Sequence, residues 1–101
     1  MPPQILPFTF GDDPLNKDDV AAVQCMSLKG DLPIKISWFL NNMLITTVEN
    51  GINVVMTSSR INQLTIESVT ANHRGIFKCV AENMAGSVEY IAELRVNGTN
   101  F

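Results

Sequence analysis

Along most of the chain apolar and polar residues alternate with a period of two, and the three-to-four spacing of an amphipathic helix is nowhere sustained. Turn signals interrupt this alternation every eight to twelve residues, which predicts an all-β sandwich or barrel. Residues 4–6 and 8–10 read as two short extended pieces broken by Pro7, which offers no amide to a ladder and suits an edge. Residues 11–19 read as a polar, acidic loop. Residues 19–28 follow as a strand with Ala21, Val23 and Cys25 on one face and Ala22, Gln24 and Met26 on the other. After a turn at 29–31, residues 33–40 place Ile34, Ile36 and Trp38 on one face, and Asn41-Asn42 predicts a tight hairpin into 43–45. Beyond a turn at 49–51, residues 52–57 form a strand of ambiguous phase, because Val54, Val55 and Met56 are consecutive. Residues 60–68 point Leu64 and Ile66 inward and Gln63, Thr65 and Glu67 outward. Residues 75–83 point Phe77, Cys79 and Ala81 inward, and a turn at 84–86 opens the last strand, ending in Ala92, Leu94 and Val96. Eight or nine strands result.

A length of 101 residues predicts one domain spanning 1–101, with linker stubs at about 1–3 and 97–101. Met1 before Pro2-Pro3 reads as an initiator placed ahead of a piece of something longer. Disorder is disfavoured, since 46% of residues are hydrophobic and only 17% are charged. The longest apolar run, Val20-Ala21-Ala22-Val23, is far below the ~20 residues of a spanning helix. No secretory leader is visible near the start. With a net charge of −3 and its seven basic residues scattered, the chain is not built to bind nucleic acid.

Two cysteines change the picture. Cys25 and Cys79 stand too far apart for a CxxC motif and are too few for a zinc site. A thiol nucleophile with the single histidine, His73, as base fits poorly, because both cysteines lie in alternating apolar runs that imply burial. A structural disulfide is the expectation, stabilising by about 4 kcal/mol in the chain-entropy account. It points to an oxidising, extracellular setting. The triplet Asn97-Gly98-Thr99 is a candidate N-glycosylation site that agrees with it.

The spacing then becomes specific. Trp38 follows Cys25 by thirteen residues, and Leu64-x-Ile66-x-x-Val69 precedes Gly75-x-Phe77-x-Cys79-x-Ala81-x-Asn83-x-x-Gly86. This pattern resembles the immunoglobulin superfamily, and within it the intermediate (I-set) type of cell-adhesion molecules. The resemblance implies a two-sheet Greek-key sandwich with one inter-sheet disulfide and a core centred on Trp38, Leu64 and Phe77. The segments 2–8, 29–34 and 83–90 resemble, more narrowly, an alternatively spliced immunoglobulin domain of adhesion receptors. That implies homophilic recognition between identical isoforms on neuronal surfaces, and a part in insect immunity. Two positions depart from the family pattern. Phe77 stands where a tyrosine is usual, and His73 where an aspartate is usual. Both departures predict a looser turn before Gly75.

Candidate chemistry is sparse. His73 reads as a solvated turn residue, and Asp12, Asp13, Asp18 and Asp19 as a solvated loop with at most a weak ion site. The glycines are too dispersed for a phosphate cradle, and no enzyme, cofactor or small-molecule substrate is implied. Binding surface remains. By alternation one sheet shows Lys35, Ser37, Phe39, Lys78, Val80, Glu89, Ile91, Glu93 and Arg95, a charged mixture. The other shows Ala22, Gln24, Met26, Gln63, Thr65 and Glu67 plus one phase of 53–57, with a single formal charge. Interface centres are depleted in charge. The candidate homophilic interface is therefore Gln24, Met26, Val55, Gln63, Thr65 and Glu67, with Glu67 off-centre facing an opposite charge such as Arg60. The expected partners are a second copy and neighbouring immunoglobulin domains of a cell-surface parent; the competing expectation is a non-adhesive spacer.

Overall fold

The alternating runs form eight strands in the computed structural model, which describes residues 1–46 and 49–97. In chain order they are β1 (Gln4–Ile5), β2 (Ala21–Lys29), β3 (Lys35–Leu40), β4 (Met43–Leu44), β5 (Ile52–Ser58), β6 (Ile61–Ile66), β7 (Gly75–Asn83) and β8 (Gly86–Leu94). All pairings between them are antiparallel, giving one sheet in the order β1-β2-β6-β5 and a second in the order β4-β3-β7-β8. Short 3₁₀ turns at Glu49–Gly51 and Ala71–His73 are the only helical pieces among the described residues. This is the immunoglobulin-like sandwich that the resemblance implied.

The inner faces of the two sheets make one core. Trp38 lies directly opposite Cys79 in the β3–β7 ladder, and the Cys25–Cys79 disulfide joins β2 to β7 across the sandwich. Leu64, Ile66, Val69, Phe77 and Leu94 are fully buried around them. The indole Nε1–H of Trp38 donates to Oδ1 of Asn62 at 3.0 Å, so a buried amide on β6 satisfies the ring's one polar atom. Asn41 and Asn42 adopt positive φ (49° and 69°), the left-handed pair that a two-residue hairpin needs. Gly30 sits at φ 114°, with Pro3 packed so closely that a Cβ there would stand 2.9 Å from the Pro3 Cα.

Four expectations are corrected. Residues 8–10 form no strand: Phe8 and Phe10 fold inward, Phe8 edge-on to Trp38 (5.4 Å) and Tyr90 (5.0 Å), Phe10 tilted against Phe77 (5.2 Å). Burying two rings outweighs a ladder that Pro7 already interrupts. The acidic segment 11–19 is not all loop, since Leu15 bridges Val96 in parallel, with Leu15 N–H donating to Arg95 O (2.9 Å) and Asn97 N–H to Leu15 O (2.7 Å). The strand expected at 60–68 spans only Ile61–Ile66, leaving Glu67 just past its end.

His73 is the fourth correction. It is 3% exposed, not solvated. Its Nδ1 accepts the Thr70 backbone N–H at 3.0 Å while Nε2–H donates to Asn50 O, an arrangement that assigns the Nε2–H tautomer. The ring thus ties the turn before β7 to the turn before β5, and the looser turn predicted from the loss of aspartate does not follow. A residue in a polar turn has no alternation phase, and a partner 23 residues away leaves no local trace.

Candidate recognition face

The register of the first sheet turns the candidate list into a surface. Three cross-strand rows cross its outer face: Ala22–Thr65–Asn53, then Gln24–Gln63–Val55, then Met26–Ile61. The ambiguous phase of β5 resolves here. Ile52 is buried, Val54 is half-buried toward the core, and Val55 stands outward at 52% exposure. Five of the six candidate residues therefore lie on one connected patch, with the two glutamines neighbours at its centre.

Strands β5 and β6 contain no charged residue at all, and β2 contains only Lys29 at its end. Among the described residues no hydrogen bond engages the side chains of Gln24, Gln63, Asn53 or Thr65, so three amides and a hydroxyl keep their full capacity for an outside partner. Gln63 and Thr65 are half-buried, and Ala22, Val23, Gln24 and Gln63 line a shallow depression between β2 and β6. Polar groups so placed discriminate strongly, because an ill-matched partner leaves a desolvated donor or acceptor unpaired at a cost of roughly 1–3 kcal/mol.

Glu67 lies at the periphery, just past the end of β6. Arg60 is at the opposite end of β6, but it is not turned onto the face. Its Nη2 donates to Gly30 O at 2.9 Å, while Nη1 is buried with no partner among the described residues. One residue escaped the sequence reading: Ile61 lies beside Met26 and enlarges the apolar end of the patch. The parity of Leu64 and Ile66 already placed it outward, though an isoleucine invites assignment to the core.

The other sheet's outer face differs. Its central row runs Leu44–Phe39–Lys78–Ile91, with Lys78 Nζ over the Phe39 ring at 5.1 Å. Lys35, Glu82, Glu89 and Glu93 surround that row. The aspartates do not converge. Asp18 Oδ1 accepts from Ser68 Oγ (2.9 Å), tying its loop to the segment after β6, and Asp19 Oδ2 accepts from the Asn16 N–H (2.8 Å) within its own loop; no three His, Cys, Asp or Glu residues among those described could share a metal. Asn97 is exposed beyond the end of β8, its Nδ2 2.5 Å from Asn16 Oδ1; Gly98 and Thr99 of its triplet lie outside the described residues. No helix among the described residues is long and apolar enough to cross a membrane.

Comparison with known proteins agrees with this architecture. The family profile described as "Immunoglobulin domain" matches residues 2–83. The cell adhesion molecule Dscam1 of Drosophila melanogaster is 47% identical over 97 residues, covering 96% of this chain and 5% of the relative. Among solved structures, the Dscam1 Ig7 domain, isoform 5, superposes with a TM-score of 0.94 at 51% identity, covering 95% of this chain and 97% of that one. Isoform 9 of the same domain gives a TM-score of 0.92 at 47% identity, over 95% and 100% of the two chains. The chain thus spans about one-twentieth of the curated relative's length.

Proposed function

The chain belongs to the immunoglobulin domain family, and from that premise we propose that it is an extracellular recognition unit of a cell-surface adhesion protein that binds a second copy of itself through the outer face of β1-β2-β6-β5. The observation that carries this reading is the uncharged patch centred on Gln24 and Gln63, whose amides are unspent, with Val55, Met26 and Ile61 as apolar anchors. A two-fold axis through such a patch lets each residue meet its counterpart or a symmetry-related neighbour. Few side chains then set the match, and replacing one changes both halves of the contact. Specificity between isoforms is the use that such a surface serves, and the likeness to two isoforms of one Dscam1 domain supports it.

The isolated unit binds weakly, at about micromolar affinity or worse, because linked domains in a longer parent supply avidity. Neighbouring immunoglobulin domains of that parent contact its two ends, and a sugar on Asn97 would sit beyond β8, outside the strands that build the face. Catalysis has no part in this reading.

Sedimentation equilibrium of the chain tests it. A concentration-dependent association that Thr65→Lys weakens, by removing its face-to-face contact, is the expected outcome. A monomer at every concentration would instead favour a spacer that holds neighbouring domains apart.

A further inference from the structure

Four strands end a sheet in this molecule, and each presents a row of backbone amides and carbonyls with no neighbour on one side. Three of these edges are guarded. β1 is two residues long and lies between Pro2-Pro3 and Pro7, which bring no amide. β4 is also two residues long. β8 is long, but it carries exposed Glu89 and Glu93, Phe8 lies against its Tyr90, and Leu15 occupies the edge where the strand continues to Val96. β5 has none of these protections. It runs seven residues, Ile52–Ser58, without a charge or a proline, and among the described residues it pairs with β6 alone. Its register with β6 is unbroken from Ile52 to Met56, and only the irregularity between Met56 and Ser58 disturbs its last turn of ladder.

We infer that the free edge of β5 accepts the β5 of a second copy, antiparallel across a two-fold axis at Val55, fusing two four-stranded sheets into one of eight. The choice of a second copy rests on the strand's complementarity to itself. Opposed residues of an antiparallel pair share a face. With Val55 opposite Val55, the register sets Asn53 opposite Thr57, an amide against a hydroxyl, and Val54 opposite Met56, apolar against apolar. Met56 is 47% exposed and Val54 half-buried, so this pairing also covers apolar surface at the rim of the core. The contact is independent of the face described above. The face uses the Val55 side chain, the edge its backbone, and both can be occupied at once, joining copies face to face and side by side.

The test compares the unaltered chain with Met56→Lys, which adds the missing edge charge, and Met26→Lys, which charges the face. Each is followed by sedimentation equilibrium and by amide hydrogen exchange at micromolar and millimolar concentration. Both substituted positions are partly or fully accessible, and unchanged thermal midpoints confirm folding. In the unaltered chain, alternate amides within Asn53–Met56 are expected to exchange about tenfold more slowly at the higher concentration, a local protection that only pairing supplies. Met56→Lys should abolish that protection while Met26→Lys leaves it. If Met26→Lys alone removes association and the β5 amides exchange equally at both concentrations, the edge contact is overturned and the face stands. If Met56→Lys alone removes association, the edge stands and the face falls. A chain that remains monomeric at millimolar concentration overturns both.

Discussion

The two sheets are built alike on the inside and unlike on the outside. Each contributes one half-cystine, and each contributes one member of the Trp38–Asn62 pair. Outside, the β4-β3-β7-β8 sheet carries Lys35, Lys78, Glu82, Glu89 and Glu93, whereas β5 and β6 of the other carry no charge. The fold needs the inner residues and is indifferent to the outer ones, since surface substitutions away from special features usually shift stability by within about 0.5 kcal/mol. A sheet that omits charge from its solvent side forgoes the ordinary means of staying monomeric. The contrast between the two outer faces therefore bears on the recognition proposed above, not on stability.

The largest effect should come from the shared inside. Trp38→Ala is expected to lose about 3–5 kcal/mol in denaturant unfolding, as truncated core aromatics do. It also leaves Asn62 buried without its partner. A loss below about 1 kcal/mol would mean that the two inner faces do not depend on this ring.

Next is the joint between the two turns. His73→Ala removes the acceptor for Thr70 N–H and the donor to Asn50 O, so about 1–3 kcal/mol should disappear. Hydrogen exchange should show the Thr70 amide deprotected. Retained stability together with a still-protected Thr70 amide would show that His73 merely fills space.

On the outer faces the two sheets should part company. Met26→Lys is expected to remove the face-to-face contact, leaving in sedimentation only the association through the β5 edge, while moving stability by less than about 0.5 kcal/mol. Lys78→Glu, on the charged sheet, should leave dimerisation intact and cost only the contact with Phe39, about 0.5–1 kcal/mol. Loss of the dimer in Lys78→Glu but not in Met26→Lys would exchange the roles of the two sheets.

The smallest expected effect is that of salt. A contact centred on Gln24, Gln63 and Val55 has no charges to screen, so its dissociation constant should stay nearly flat between low and physiological ionic strength. A steep dependence would place Lys and Glu residues at the contact.

How much of this was legible beforehand depends on distance along the chain. The strands, the disulfide and the inward phase of Trp38, Leu64 and Phe77 follow from alternation, because one buried face forces a period of two. β7 was readable to the residue. Where three apolar residues run together, as at Val54-Val55-Met56, periodicity carries no phase, and the Val55–Gln63 register was needed to choose. Phe8, Leu15 and His73 were misread for a common reason. Each is fixed by a partner far away in sequence, Trp38, Val96 and Asn50, and irregular segments have no period to betray such partners. On the candidate face, five of six candidates lie together because they are set by ladder parity, while Arg60, just outside a strand, answers instead to the carbonyl of Gly30.

The parallel bridge between Leu15 and Val96 has a consequence under load. In the adhesive parent proposed above, load would reach the chain through its ends, and here the entering and leaving segments run side by side in the same direction. Tension that drags them apart lengthways strains the bonds from Leu15 to Arg95 and from Asn97 to Leu15 together, as in shear, not one after another as in peeling. Behind that clasp, Cys25 and Cys79 short-circuit the path of the force, so the segment between them stays unstretched even after the ends give way. β5 and β6, and most of the candidate recognition face with them, lie inside that protected loop.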